Sequence, residues 1–147
     1  MIPSPVPAPV ERPSRILIVD DEEPLLQLVE RVLRTAGYDT LLAHSGAEAL
    51  ELARAGEAFD LLLTDLMMPG MSGEELAREL HRQRPFLKVL YLTGFSNRLF
   101  ELRPFLWSNE AFIEKPVSVT ALREAVSQAL FGHTRGLPPA DPGPTTD

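Results

Sequence analysis

The stretch that decides the fold is residues 15–23, RILIVDDEE, where an apolar run passes directly into four acidic residues. The run Arg15–Val19 is short and rich in β-branched residues, as expected of a strand buried on both faces of a parallel sheet. Apolar residues at helical spacing follow over residues 22–36, and Gly37 is a natural C-terminal stop. A strand followed at once by a helix is the beginning of a βαβ unit and indicates an α/β fold.

The same alternation continues along the rest of the chain. Four further apolar runs predict strands over residues 38–43, 61–64, 87–92 and 111–114. Helix starts are predicted at three serines, two of them with a capping-box glutamate three residues on: Ser45 with Glu48, Ser72 with Glu75, and Ser118. Residues 96–108 predict only a short or distorted fourth helix, because Pro104 would break a helix interior. Five strands alternating with five helices predict a parallel sheet covered on both faces.

The composition of the chain argues against several classes of protein. The 147 residues suit one domain, and an apolar content of 44% is enough for one packed core. The chain has no run of about 18 apolar residues and no signal-peptide pattern, so no membrane association is expected. The lack of cysteine excludes disulfides and thiolate metal sites and fits a cytoplasmic location. A net charge of −7 argues against direct nucleic-acid binding, which needs basic residues.

Both ends of the chain differ in composition from the middle. Residues 1–13 contain five prolines, and residues 132–147 are rich in proline and glycine. Segments of this kind bury too little apolar surface to offset the entropy lost on ordering, so both are expected to be disordered tails. The folded domain is therefore predicted to span residues 14–131.

The residues at the predicted strand ends point to a chemical site. In a doubly wound sheet, ligands bind at the carboxyl ends of the strands. Those ends carry three aspartates, a threonine with a small glycine after it, and a lysine: Asp20, Asp21, Asp65, Thr93, Gly94 and Lys115. Carboxylates this close together repel one another unless a cation lies between them, and Mg²⁺ is the natural candidate. With the lysine binding phosphoryl oxygens, the set suits transfer of a phosphoryl group onto an aspartate.

Each of these residues also has an ordinary structural explanation. Asp20 and Asp21 could be an acidic pair favoured by the dipole of the following helix. Asp65, Thr93 and Lys115 could be turn or strand-end residues. Because each falls at the carboxyl end of a strand, and together they span four strands, the joint pattern favours a shared site.

The resemblance to a known family is carried by four stretches: ILIVDDEE at 16–23, LLLTDLMMPGMSGEEL at 61–76, VLYLTGFS at 89–96 and AFIEKPV at 111–117. In combination they resemble the receiver domains of two-component response regulators. The resemblance implies a flavodoxin-like doubly wound (βα)₅ fold, an α/β fold with a five-stranded parallel sheet in the order 2-1-3-4-5.

The resemblance also implies a role for each site residue. Asp65 corresponds to the phosphoacceptor, Asp21 to a direct Mg²⁺ ligand and Asp20 to a ligand acting largely through water. The backbone carbonyl of Met67 and the Asp65 carboxylate would complete the protein ligands, with Mn²⁺ able to replace Mg²⁺.

Four further positions belong to the phosphate-binding and switching part of the implied site. Thr93 corresponds to the switch hydroxyl and Lys115 to the phosphate-binding lysine, while Gly94 leaves room for the phosphoryl group. Phe112 corresponds to the switch aromatic, although plain core packing explains it equally well. The Lys115–Pro116 peptide is expected to be cis.

The implied function is signalling rather than turnover of a separate substrate, so the domain is not expected to be an enzyme. A histidine kinase or histidine phosphotransfer protein would supply the phosphoryl group from phosphohistidine. A downstream protein, or a second copy in a homodimer, would read the face formed by the fourth helix, fifth strand and fifth helix. The aromatic residues of segment 97–109 are explained either by local core packing or by a partner-binding face. The chain could be a stand-alone protein or part of a hybrid kinase.

Three other functions fit the sequence less well. An aspartyl phosphatase usually has a second acid two residues after its nucleophile, and Met67 stands at that position. A binding module without phosphorylation would not need the full acidic set. A dinucleotide-binding domain is disfavoured because no G-x-G-x-x-G motif follows the first strand.

Overall fold

Strands and helices alternate along residues 13–94, 110–115 and 118–132, the parts of the chain that the computed structural model describes. The strands are β1 Arg15–Val19, β2 Asp39–Ala43, β3 Leu61–Asp65, β4 Lys88–Thr93 and β5 Glu110–Glu114. The helices are α1 Glu23–Thr35, α2 Gly46–Arg54, α3 Gly73–Gln83 and a C-terminal helix, Val119–Phe131. The expectations for the two tails, for residues 96–108 and for the Lys115–Pro116 peptide concern segments outside the described residues.

The five strands form one parallel sheet in the order β2-β1-β3-β4-β5, which confirms the predicted fold. The chain runs outward from β1 to β2 and then crosses back to β3 on the other side of β1. The order therefore reverses between β1 and β3, and their carboxyl ends border the crevice where such sheets bind ligands.

The core lies on both faces of the sheet. Side chains on one face, such as Leu17, Leu62 and Tyr91, pack against α2 and α3. Side chains on the other face, such as Ile18 and Leu63, pack toward α1 and the C-terminal helix. Burial on both faces explains why the central strands are continuously apolar instead of alternating with polar residues.

Serine side chains cap the starts of α2, α3 and the C-terminal helix, and one of the two predicted capping boxes is complete. At α3 the Ser72 hydroxyl accepts from the Glu75 N–H, and the Glu75 carboxylate accepts from the Ser72 N–H. At α2 Ser45 accepts from the Glu48 N–H, but the Glu48 carboxylate accepts from the N–H of His44 rather than that of Ser45. The prediction of a complete capping box at α2 is therefore wrong in its second hydrogen bond. The Glu48 carboxylate binds His44 instead, at both its N–H and its ring.

Helix length and hydropathy leave no membrane-spanning candidate. Across the described residues, every helix is too short or too polar to cross a bilayer.

Candidate functional site

Strand pairing brings two of the three aspartates to the same point. Val19 of β1 lies opposite Thr64 of β3, so the next residues, Asp20 just after β1 and Asp65 at the end of β3, lie side by side. The Asp20 N–H donates to the carbonyl of Ala43 at 3.2 Å, which holds the end of β1 against β2. Backbone pairing thus places both carboxyl groups at the carboxyl edge of the sheet.

The three aspartates form one oxygen cluster. One carboxylate oxygen from each of Asp20, Asp21 and Asp65 lies within 4.8 Å of the other two. Asp20 and Asp65 are buried, whereas Asp21 is exposed. Carboxylate oxygens are the ligands that hard divalent cations prefer, and the exposed member leaves one side of the cluster open to solvent.

Asp20 is the least satisfied member of this cluster. Its Oδ1 accepts from the Glu22 N–H at 2.8 Å, but its Oδ2 is buried and has no hydrogen-bond donor among the described residues. Burial raises the pKa of Asp20 to about 6; the Glu22 hydrogen bond opposes this shift, and the charge of Asp65 adds to it. An unpartnered buried oxygen beside two other carboxylates fits a divalent cation at this position.

Lys115 brings the positive charge of the site. Its Nζ lies 3.3 Å from Asp65 Oδ1, 3.7 Å from Glu22 Oε1 and 3.8 Å from Asp20 Oδ2. Lys115, Asp65 and Glu22 border an open pocket of about 340 Å³ at the carboxyl edge. Six residues line it: Asp21, Glu22, Asp65, Met67, Gly94 and Lys115.

Asp65 faces this pocket rather than the protein interior. Burial raises the pKa of the Asp65 carboxyl, while Lys115 and a hydrogen bond from the Met67 N–H act in the opposite direction. The carboxylate is therefore held by a lysine and a backbone donor, and Asp65 lines the pocket.

The turn after β3 is held very close to α3. A Cβ on Gly73 would lie 2.2 Å from the carbonyl oxygen of Asp65, so only glycine allows this approach. The Gly73 N–H donates to Leu66 O at 2.9 Å, and the Thr64 hydroxyl donates to Asp65 O at 2.9 Å. The orientation of the Asp65 backbone thus depends on Gly73 and Thr64, which sequence analysis did not single out as site residues.

Most of the predicted site residues meet at this pocket. Asp20, Asp21, Asp65 and Lys115 cluster there, and Met67 and Gly94 line the pocket wall. The predicted roles of the Met67 carbonyl and the Thr93 hydroxyl stay predictions. Thr93 ends β4 opposite Glu114 of β5, and nothing further is described of its side chain.

Phe112 lies deeper in the sheet than the pocket. It stands opposite Tyr91 in register, and its half-buried side chain packs against the core cluster on the α2 and α3 face. This position fits the core-packing explanation, and its switch role stays a prediction. Glu22 is the further pocket residue that sequence analysis missed, because its spacing indicates only the start of a helix.

Comparison with known families identifies the domain. The sequence profile described as the response regulator receiver domain matches residues 16–127. The chain belongs to the response regulator receiver domain family. As a receiver domain of two-component systems, it has the acidic cluster and the lysine at the edge of the sheet where the family resemblance placed them.

Relatives and solved structures agree with this assignment. The transcriptional regulatory protein YrkP of Bacillus subtilis (strain 168) is 35% identical over 120 residues, which are 82% of this chain and 51% of YrkP. The chain thus spans about half the length of that relative. A response regulator receiver protein from Sinorhizobium medicae WSM419 matches with a TM-score of 0.73 and 30% identity, over 81% of this chain and 95% of that one. The response regulator TrrA from Thermotoga maritima, solved in complex with Mg(2+)-BeF, matches with a TM-score of 0.69 and 33% identity. The match covers 80% of this chain and 99% of TrrA.

Proposed function

We propose that this receiver domain accepts a phosphoryl group on Asp65 from phosphohistidine, in a reaction that depends on Mg²⁺. The observation that supports it most strongly is the pocket itself. Asp65 shares an oxygen cluster within 4.8 Å with Asp20 and Asp21, and it has Lys115 Nζ at 3.3 Å. A cation site, a carboxylate nucleophile and a phosphate-binding cation are thus combined in one place.

The transfer itself needs little from the protein beyond placement and charge. An oxygen of the ionised Asp65 carboxylate attacks the phosphorus, and the bond from phosphorus to the donor imidazole nitrogen breaks. The electron pair returns to the imidazole, so Asp65 needs no general base. Lys115 holds an oxygen of the transferred group, because its ammonium already lies beside Asp65.

The divalent ion would be held by Asp20, Asp21, Asp65 and the backbone carbonyl of Met67. When bound, it neutralises charge on the carboxylates and on the phosphoryl oxygens. Mn²⁺ would serve in its place, because it accepts the same oxygen ligands. In support, TrrA of Thermotoga maritima was solved with Mg(2+)-BeF.

The signalling role follows from the charge that phosphorylation adds. A phosphoryl group brings nearly two negative charges and strong acceptors next to Lys115. We propose that the face around the fifth strand and the C-terminal helix then shifts its population, and that a downstream protein or a second copy binds it. The phosphodonor would be a histidine kinase or histidine phosphotransfer protein in the cytoplasm. The domain would assist its own phosphorylation and dephosphorylation without turning over a separate substrate.

Acetyl phosphate labelling tests this proposal. Radiolabelled acetyl phosphate should label the wild-type protein when Mg²⁺ is present and should fail to do so with a chelator. Asp65→Asn should remove the label, whereas Asp60→Asn, at the opposite end of β3, should retain it. Equal labelling of Asp65→Asn and wild type, or labelling that ignores the chelator, would contradict the proposed reaction.

A further inference from the structure

Glu22 contacts other residues of the site through both its backbone and its side chain. Its N–H donates to Asp20 Oδ1 at 2.8 Å, and its carboxylate lies 3.7 Å from Lys115 Nζ. The side chain lines the pocket and is 64% exposed, which makes it the solvent-facing partner of the lysine. Glu22 does not belong to the oxygen cluster of the three aspartates.

The direction of this side chain is not explained by the helix it precedes. Glu22 occupies the N-cap of α1, where a side chain commonly accepts from a helix N–H. Within the described residues its side chain makes no such bond, whereas Ser45, Ser72 and Ser118 each do at their own helices. The carboxylate of Glu22 is therefore left for Lys115 instead of the α1 backbone.

The three carboxylates around Lys115 differ in what else they must do. Asp20 and Asp65 are buried and provide oxygens to the cation cluster, whereas Glu22 is exposed and does not. An ammonium drawn fully onto Asp20 and Asp65 would compete with a divalent ion for the same oxygens. The Lys115 ammonium lies 3.3 Å from Asp65 and 3.7 Å from Glu22, so a third carboxylate on the solvent side attracts it against the pull of the two buried ones.

We propose that Glu22 is a positioning residue for Lys115. Its charge offsets part of the attraction of the ammonium to Asp20 and Asp65, and so leaves the oxygens of these two aspartates more accessible to Mg²⁺. The role of Mg²⁺ in this inference rests on the proposed function, whereas the position of Lys115 does not.

A set of charge variants separates positioning from simple loss of charge. Glu22→Gln removes the charge and keeps the shape, and Glu22→Asp keeps the charge. Glu23→Gln is the matched control, because Glu23 is one residue along and its carboxylate contacts Gln27 and His44 instead of Lys115. Measured by isothermal titration calorimetry, the Mg²⁺ dissociation constant should rise about three- to tenfold in Glu22→Gln and less than about twofold in Glu23→Gln. Glu22→Asp should lie close to wild type.

A double-mutant cycle shows whether the effect passes through the lysine. In a Lys115→Met background, Glu22→Gln should change Mg²⁺ affinity no more than Glu23→Gln does. Lys115→Gln provides a second background if the methionine variant does not fold. An undiminished effect of Glu22→Gln in either background, or equal effects of Glu22→Gln and Glu23→Gln in the wild-type background, would overturn the inference.

Acetyl phosphate labelling adds a kinetic signature. For Glu22→Gln the labelling rate should fall at low Mg²⁺ and return to the wild-type value at saturating Mg²⁺, because the variant loses cation affinity and keeps its nucleophile. A rate that stays low at saturating Mg²⁺ would contradict the inference. If the wild-type protein takes up no label at all, the proposed function fails, and the Mg²⁺ titrations still decide the role of Glu22.

Discussion

The charged residues at the two ends of β1 are arranged differently. At the amino end, the Arg15 guanidinium pairs with Asp39 at 3.2 Å and Glu57 at 3.0 Å, and the backbone N–H of Arg15 donates to Asp60 at 2.8 Å. At the carboxyl end, four acids line the site and Lys115 contacts three of them, while Asp20 Oδ2 has no hydrogen-bond donor in the described part of the chain.

The difference distinguishes charges that stabilise the fold from charges that are arranged to bind a ligand. Acids at the amino end face donors from their own chain and lie at an exposed edge, where ion pairs add modest stability. Acids at the carboxyl end are crowded and partly buried, which costs stability in the absence of a cation. The same strand therefore has a structural end and a functional end.

The largest effect should come from displacing the backbone at the functional end. Gly73→Ala would place a Cβ 2.2 Å from the carbonyl oxygen of Asp65, so α3 or the turn must shift. We expect the free energy of unfolding to fall by about 3 kcal/mol in urea titrations, as in overpacked sites. Gly94→Ala is the matched control at the same edge. Among the described residues nothing lies within 4 Å of its added Cβ, so its stability should stay within about 0.5 kcal/mol of wild type. Equal stability of Gly73→Ala and wild type would show that the close approach is unimportant.

Sequence analysis anticipated the sheet and the main acids because both depend on local patterns. Apolar runs and strand ends are visible along the chain, and the parallel topology brings those ends together. Glu22 and Gly73 escaped notice for a different reason. Their roles depend on contacts made in three dimensions, between Glu22 and Lys115 and between Gly73 and Asp65, which no local spacing encodes. The prediction that the Glu48 carboxylate accepts from the Ser45 N–H was wrong for the same reason, because that carboxylate accepts from the His44 N–H.

The next largest effect concerns the crowded acids themselves. Since the pKa of Asp20 rises from 3.8 to about 6 on folding, the folded metal-free protein binds this proton more tightly than the unfolded chain. Its stability should therefore fall as the pH rises from about 4 to about 6. Above that range Asp20 is ionised in both states, and the folded protein is destabilised by the full amount. Asp20→Asn should then be more stable than wild type by about 1 to 3 kcal/mol at about pH 8, and the gain should shrink below about pH 6.

Urea titrations with a chelator present would measure this gain. The matched change at the structural end, Asp60→Asn, should have the opposite sign and lose about 1 kcal/mol, because it weakens the bond from the Arg15 N–H. A destabilised Asp20→Asn protein would remove the contrast between the two ends of β1.

A smaller effect is expected from the arginine at the structural end. Arg15→Met should lower the free energy of unfolding by about 1 kcal/mol, because it removes two partly exposed ion pairs. Calorimetric Mg²⁺ affinity should stay within about twofold of wild type, since Arg15 is at the far end of the strand. A large loss of Mg²⁺ affinity would show that the two ends are not independent.

The smallest effect should come from His44, whose ring contacts carboxylates of both α1 and α2. Its ring contacts Glu23 at 2.5 Å and Glu48 at 3.2 Å, and hydrogen bonds to these two carboxylates raise its pKa. The stabilisation should be fully present below the unfolded pKa of about 6.5 and should be lost as the pH rises through the higher folded pKa. Melting temperatures of wild type and His44→Gln should therefore converge with rising pH. Parallel curves would contradict the ion pairing.

The most direct test of the two-ended account is a crystal structure grown with Mg²⁺ and beryllofluoride. The account expects one ion on the oxygens of Asp20, Asp21 and Asp65, and a beryllofluoride group on the Asp65 carboxylate in contact with Lys115. The acids around Arg15 should bind neither. An ion or adduct at the Arg15 end, or an Asp65 without an adduct in fully loaded crystals, would contradict it.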